Sequence, residues 1–217
     1  MSDNLYYNTV TPYLLKVLKH LMLVKEFEKF RLVGGTALSL IRGHRFSVDI
    51  DLFTDAEYGS LSFDAIDNFL KANYSYVDSN NIGVVGFGKS YFVGKSKEVA
   101  VKLDVYYTDK FVSPLIEIEK IRLASVEEII AMKLDVINRG GRKKDFWDIH
   151  ELIGDYSFTK MLDLHKKRYP YAHNAKQIKK EFSNFELADE EPDPVCMKGK
   201  FWEIIKLDVI DFSKSKL

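Results

Sequence analysis

Residues 33–53 read Val33-Gly34-Gly35-Thr36-Ala37-Leu38-Ser39-Leu40-Ile41-Arg42-Gly43-His44-Arg45-Phe46-Ser47-Val48-Asp49-Ile50-Asp51-Leu52-Phe53. A short apolar run ends in a glycine pair. A helix-length segment follows, and then a β-rich run with two aspartates one residue apart. Side chains at i and i+2 of a strand share a face. Asp49 and Asp51 therefore project together, while Ile50, Leu52 and Phe53 can anchor the strand. Two adjacent carboxylates repel unless a cation sits between them, and a hard divalent ion such as Mg²⁺ takes oxygen ligands of this kind. A solvated acidic edge strand would explain an isolated Asp-x-Asp. The glycine turn upstream argues for the other reading.

Glycine pairs stand where the backbone takes a positive φ or lets a ligand approach closely. Here the pair follows a strand-like run and precedes Thr36-Ala37-Leu38-Ser39-Leu40, a good helix start. Backbone N–H groups at such a junction can bind a phosphate. A phosphate cradle about fifteen residues before a metal-binding carboxylate pair suits a nucleoside triphosphate with its Mg²⁺. A plain tight turn is the alternative for the glycines alone.

Gly34-Gly35-Thr36-Ala37-Leu38, followed by Gly43-His44-Arg45-x-Ser47-x-Asp49-Ile50-Asp51-Leu52-Phe53, resembles the first motif of the AbiEii/AbiGii toxin family. That family belongs to the DNA polymerase beta-like nucleotidyltransferase superfamily. The resemblance implies an α+β fold: a nucleotidyltransferase-like mixed sheet with flanking helices, then a mostly helical C-terminal part. It assigns Gly34, Gly35, Thr36, Arg45 and Ser47 to nucleotide binding. The superfamily usually has Gly-Ser at the turn; Gly35 replaces that serine here, which leaves Thr36 or Ser47 to supply the hydroxyl.

The 217 residues suit one large or two small domains, and 46% hydrophobic content suffices for a substantial core. Thirty-two basic residues balance 32 acidic ones, so overall charge gives no sign of nucleic-acid binding. No apolar run approaches the roughly 20 residues of a membrane span. The start, Met1-Ser2-Asp3-Asn4, has neither the basic nor the apolar region of a signal peptide. The single cysteine, Cys196, cannot form an internal disulfide, so a reducing cytoplasm is expected.

Residues 10–30 read as a helix, with Leu14, Leu15, Leu18, Leu21 and Met22 at helical spacing, Pro12 in its first turn, and His20 at its surface. Residues 31–33 form a short strand into the glycine turn. A second amphipathic helix spans 62–72, with Phe63, Ile66, Phe69 and Leu70 inward. Residues 74–77, 82–92 and 98–107 read as strands, broken by Gly83, Gly86, Gly88 and Gly94. No glycine loop is followed by Lys-Ser/Thr, which argues against a P-loop.

In the last of these strands Lys102, Asp104 and Tyr106 share one face, with Val101, Leu103 and Val105 on the other. A mid-strand acid is normally paired or working. A salt bridge of Asp104 with Lys102 is one reading. The resemblance gives the other: Asp104 as the third metal-binding carboxylate, beside the Asp-x-Asp strand. Asp49, Asp51 and Asp104 would then hold two Mg²⁺, or Mn²⁺ in their place, roughly 3.5–4 Å apart.

Ser125-Val126-Glu127-Glu128 has capping-box spacing and opens a helix that Gly140-Gly141 stops. Val126, Ile129, Ile130 and Ile137 form an apolar stripe interrupted by Lys133, while Glu128, Asp135 and Arg139 form a separate polar face. A lysine within such a stripe snorkels or serves a site. The next helix, 142–152, places Asp145 and Asp148 on one face, with Lys133 or Arg139 as candidate cations. Lys133, Asn138-Arg139 and Lys144-Asp145-x-x-Asp148 resemble the downstream motifs of the same toxin family. The resemblance implies that Lys133 contacts nucleotide phosphates and that an aspartate of this helix is required for activity. Spacing leaves open whether that is Asp145 or Asp148. A helix-tying salt-bridge set is the alternative for both.

Residues 139–180 hold eleven Lys and Arg against five Asp and Glu, whereas 181–217 hold five against nine. Neutral overall charge thus hides a basic helical region, with Tyr169 and Tyr171 able to stack on bases, and an acidic loop at 186–194. A solvated helix face is the alternative. His150, His173 and Cys196 read as structural or inert, and a last element at 201–210 packs Trp202, Ile205 and Val209 inward.

The expected division is a nucleotidyltransferase-like domain at 1–110 and a mostly helical domain at 111–217 that completes the active site. The expected reaction moves a nucleoside monophosphate from an NTP to an acceptor hydroxyl. By resemblance, transfer RNA is an acceptor class and an antitoxin from a neighbouring gene is the partner, in a type IV toxin–antitoxin pair. A catalytically silent binding protein and a transferase acting on a protein or small molecule are the alternatives.

Overall fold

The computed structural model describes residues 4–79 and 86–214. Seven strands form one mixed sheet: β1 (Arg31–Leu32), β2 (Asp49–Thr54), β3 (Tyr76–Ser79), β4 (Gly88–Gly94), β5 (Ala100–Tyr107), β6 (Ile116–Ile118) and β7 (Ile121–Leu123). Their spatial order is β3-β4-β5-β2-β1-β7-β6. The β2/β5 and β1/β7 pairs are parallel and the others antiparallel. The expected strand start at Ile82 and the break at Gly83 lie outside the described residues.

Strand β2 alternates as its sequence requires. Ile50 and Leu52 are fully buried, and Asp49, Asp51 and Phe53 share the other, half-buried face. Phe53 packs against the core from the carboxylate face, half-buried and in line with Asp49 and Asp51. The parallel register sets Asp51 opposite Asp104 and Asp49 opposite Lys102.

Helix α1 (Pro12–Met22) opens with Thr11, whose hydroxyl accepts from the Leu14 N–H, and with Pro12 in the first turn. It stops at Met22, well short of residue 30, because another group takes its C-terminal carbonyl. The Arg122 guanidinium on β7 donates to the carbonyls of Met22 (2.9 Å), Phe27 (2.8 Å) and Phe30 (2.9 Å). That clamp fixes a 3₁₀ turn, Lys25–Phe27, and the approach to β1. His20 is half-buried on α1, its Nδ1 3.0 Å from the Tyr74 hydroxyl. Helix α2 (Gly34–Arg42) links β1 to β2, and α3 (Phe63–Asn73) is capped by Ser62.

The sheet continues past residue 110, the expected domain boundary. Strands β6 and β7 form a hairpin whose turn residues Glu119 and Lys120 both take positive φ, 49° and 66°. Turns of that kind favour Asn-Gly; Glu119-Lys120 gives no such sign. Glu119 is held instead by the Tyr7 hydroxyl at 2.6 Å and by Lys19 at 3.3 Å.

The remainder is helical: α4 (Val126–Asn138), α5 (Lys143–His150), α6 (Phe158–Arg168), α7 (Ala175–Glu181), α8 (Glu186–Asp189) and α9 (Trp202–Lys214). Ser125 caps α4 through the Glu128 N–H (3.2 Å), but Glu128 does not return the bond. Its carboxylate is fully buried, accepts from the Val112 and Ser113 N–H groups (3.0 Å each), and pairs with Arg168. The polar face expected of Glu128, Asp135 and Arg139 therefore loses its first member to the core. Gly140, at φ +90°, ends α4. Trp147 of α5 stacks parallel to Trp202 of α9 at 6.4 Å, which pins the last helix to the middle of the helical region. Among the described residues, no helix is long and apolar enough to cross a membrane.

Candidate active site

The pocket forms where α2, β2, α4 and α5 meet. Its lining includes Gly34, Gly35, Arg45, Ser47, Asp49, Asp51, Lys133, Lys144 and Asp145. The glycine pair makes the meeting sterically possible, each member for a different neighbour. Gly34 takes φ +67°, and a Cβ there would stand 2.8 Å from Asp51 Oδ2. Gly35 has no positive φ, but its Cβ would stand 2.1 Å from Arg45 Nη2. Val33 N–H binds the Asp51 carbonyl at 2.9 Å, which locks the turn onto β2. Among the described residues no side chain caps the N-terminus of α2, and Val33, Gly34 and Gly35 at that end line the pocket with the carboxylates.

Of the two hydroxyls that could replace a turn serine, only Ser47 lines the pocket. Thr36 is buried, 2.7 Å from Ser47 Oγ, and donates to the Asp49 carbonyl. It ties α2 to β2 and does not line the pocket.

The three aspartates on strands lie together but are unequally partnered. Lys144 Nζ is 3.7 Å from Asp49 Oδ2, and Lys102 Nζ donates to Asp104 Oδ2 at 2.6 Å. Asp51 has no cation in contact among the described residues. Burial, reinforced by the charges of Asp104 and Asp49, pushes its carboxyl up to about 6. Asp104 Oδ1 is buried without a hydrogen-bond partner among the described residues. Asp49 and Asp51 line the pocket, and Asp104 lies one strand beyond its wall. With Lys102 holding one Asp104 oxygen, no three His, Cys, Asp or Glu side chains among the described residues are gathered closely enough to hold a metal as they stand. The chemistry of the set still fits a divalent cation. The donors are all oxygen, the charge is under-compensated, and one buried oxygen lacks a partner.

The second acidic cluster, between α4 and α5, is saturated. Lys133 Nζ lies 2.6 Å from both Asp145 Oδ1 and Asp148 Oδ2. Arg45 grips Asp148 bidentately, Nε to Oδ1 at 2.6 Å and Nη2 to Oδ2 at 2.9 Å, and His44 Nε2 is 2.8 Å from Asp148 Oδ1. Burial alone would raise the Asp148 carboxyl, but the Arg45 and Lys133 charges hold it well below the usual range. Burial likewise opposes ionisation of Asp145, and Lys133 outweighs it. Burial would lower the Lys133 ammonium, yet Asp145 and Asp148 raise it. The two helix aspartates are thereby distinguished: Asp145 lines the pocket, and Asp148 stands behind it as the anchor of Arg45.

Sequence reasoning did not single out Phe53, Met132, Val136, Arg142 or Lys144 as site residues, yet all five line the pocket. The strand period marks Phe53, since it is i+4 from Asp49. Helical spacing from Lys133 gives Val136 at i+3.

The basic helical region is less continuous than its composition. Arg168 is spent on Glu128, the Thr108 hydroxyl (2.9 Å) and the Lys110 carbonyl (3.1 Å). His165 is buried, its Nδ1 3.0 Å from His173 Nδ1, so His173 is partnered. Tyr169 accepts from Arg168 at 3.0 Å, whereas Lys166, Lys167 and Tyr171 are exposed. The acidic loop is partly a helix, α8, and it braces α5: Glu191 accepts from the Lys143 N–H (2.9 Å) and Asp193 pairs with its ammonium (3.0 Å). Asp135 is half-buried and paired with Arg139, not a freely solvated acid.

Comparison with known proteins agrees with this geometry. Residues 16–203 match the family described as nucleotidyl transferase AbiEii toxin, type IV TA system, and the chain belongs to that family of nucleotidyltransferases. An uncharacterized protein of Aquifex aeolicus is 30% identical over 151 residues, covering 64% of this chain and 66% of that relative's length. Two solved structures share the fold. MenT4, a nucleotidyltransferase toxin from Mycobacterium tuberculosis, has a TM-score of 0.59 at 12% identity, with 94% of this chain and 84% of that chain covered. JHP933 from Helicobacter pylori has a TM-score of 0.56 at 20% identity, with 94% and 92% covered.

Proposed function

We propose that the chain transfers a nucleoside monophosphate from an NTP to an acceptor hydroxyl, releasing pyrophosphate. The observation that carries this reading is the uncapped start of α2 beside Asp51, in one pocket with Asp49, Ser47 and Lys144. That is an anion cradle adjoining an under-compensated carboxylate cluster. Asp49, Asp51 and Asp104 would hold Mg²⁺ or Mn²⁺, which when bound neutralises phosphate charge and acidifies a hydroxyl.

The residues themselves divide the remaining work. The first N–H groups of α2, with the Ser47 hydroxyl, bind phosphate oxygens. Arg45 and Lys133 are each matched by a carboxylate, so their cluster supplies oriented donors with little net charge. Phe53, Met132 and Val136 give the pocket an apolar side suited to a base or ribose. The unpartnered oxygen of Asp104 supports a role for it in taking the acceptor's proton.

The proposed setting is a cytoplasmic type IV toxin with an antitoxin partner, and transfer RNA is the proposed acceptor. The interruption of the basic region by buried pairs at Arg168 and Lys143 favours a second reading, transfer to a protein or a small molecule. Total RNA and protein incubated with each labelled NTP and Mg²⁺, then resolved by mass spectrometry, separates these acceptors. Label on RNA or protein with the parent chain, and none with Asp51→Asn, supports transferase action. Nucleotide binding without transfer to any acceptor would leave a silent binding protein.

A further inference from the structure

Two lysines that no proposed step uses stand against the carboxylate cluster. Lys102 is two residues before Asp104 on the same strand and donates to its Oδ2 at 2.6 Å. Lys144, the second residue of α5, lies 3.7 Å from Asp49 Oδ2 across the pocket. Their side chains are 40% and 35% exposed, unlike the buried Lys133 at 7%. Half-exposed ammonium groups on flexible stems can leave a partner at small cost. Asp51, between these two carboxylates, has no such partner among the described residues.

We infer that Lys102 and Lys144 are exchangeable counter-cations: each neutralises one outer carboxylate of the cation-free chain and gives it up when a divalent ion arrives. The inference rests on the transferase reading above. The two then part ways. Lys144 lines the same pocket as Gly34, Gly35 and Ser47, so the released ammonium meets the triphosphate there. Lys102 lies beyond the pocket wall, beside Asp104, and has no phosphate to take up. Both lysines compete with the cation, and Lys144 alone trades its carboxylate for a phosphate. The arrangement keeps two of three clustered carboxylates compensated while the site waits, which limits their mutual repulsion.

Amine acylation of the full chain, read by peptide mass spectrometry, tests the exchange. Mn²⁺ alone should raise labelling of Lys102 and of Lys144 about two- to fivefold, the protection that a half-exposed ion pair provides. Adding ATP should protect Lys144 again and leave Lys102 reactive. In parallel calorimetry, Lys102→Met should bind Mn²⁺ more tightly with ATP affinity kept. Lys144→Met should likewise bind Mn²⁺ more tightly but should weaken ATP. Mn²⁺ binding with both labelling rates unchanged would overturn the exchange and leave the transferase reading standing. Re-protection of Lys102 instead of Lys144 by ATP would overturn the division of roles. No detectable Mn²⁺ binding, with or without ATP, would overturn both readings.

Discussion

Two acidic clusters face one another across the pocket, and they have opposite electrostatic character. Asp145 and Asp148, between α4 and α5, are held below the usual carboxylate range by Lys133, Arg45 and, at Asp145, Arg142. Asp51, on the sheet, is pushed up to about 6 by burial and by its two acidic neighbours. The residue types are the same, and burial opposes ionisation at all three. The difference is whether the chain supplies its own cations. Where it does, the carboxylates act as scaffold. Where it does not, the fold carries a cost that only a ligand from solution relieves, which is the signature of a binding site.

The largest expected effect comes from breaking the saturated cluster. Asp148→Ala leaves Arg45 and Lys133 buried against each other and should destabilise the fold by about 3–5 kcal/mol, measured by urea denaturation. A loss under about 1 kcal/mol would show that the network is not scaffold.

The second effect concerns pH and has the opposite sign at the two clusters. A carboxyl raised from 3.8 to about 6 incurs no penalty below its ordinary value, and the full penalty appears as pH rises through about 6. The cost at neutral pH is about 3 kcal/mol. With chelator present, Asp51→Asn should therefore match the parent near pH 4 and melt at a higher temperature by pH 7. Asp145 and Asp148 contribute the reverse. Their stabilisation is present above the ordinary carboxylate range and is lost as pH falls through their depressed values. A parent and variant with parallel melting curves from pH 4 to 7 would contradict the assignment to Asp51.

A smaller effect sharpens the comparison from the glycine side. A methyl at Gly35 would push Arg45 off Asp148, so Gly35→Ala should cost about 1–3 kcal/mol, the range for overpacking. In an Asp148→Ala background Arg45 is already released, and the same change should cost measurably less. Equal costs in the two backgrounds would separate Gly35 from the network.

The smallest effect is expected at the basic helices. With Arg168 and Lys143 spent on Glu128 and Asp193, Lys166→Glu/Lys167→Glu removes only two exposed cations. The salt dependence of tRNA binding should shallow by about 0.7 for each phosphate that is no longer neutralised. Complete loss of binding would make these two lysines central to the acceptor surface.

The sequence made much of this legible, for identifiable reasons. The period of two in β2 put Asp49 and Asp51 on one face, and helical spacing placed Lys133 in an apolar stripe beside two aspartates three residues apart. What stayed hidden depended on partners distant in the chain. Nothing near Glu128 announces Arg168, forty residues on. Nothing near Met22 announces the Arg122 clamp that ends its helix early. The β6–β7 turn lacks the glycine that would mark it. Nothing beside Thr36 announces that its hydroxyl donates to the Asp49 carbonyl. Nothing beside Gly35 announces that its side-chain space is filled by the Arg45 guanidinium.

The central claim is that the sheet carboxylates are a cation and triphosphate site while the helix carboxylates are not. It is tested most directly by melting temperature under Mg²⁺ plus ATP, compared for the parent chain, Asp51→Asn and Asp145→Asn. A ligand present at about 100 times its Kd should stabilise the parent by about 2.7 kcal/mol. The account predicts that Asp51→Asn keeps its fold and loses most of that shift. It predicts that Asp145→Asn starts from a lower melting temperature and retains most of the shift. A full shift in Asp51→Asn, with the shift lost in Asp145→Asn, would contradict it.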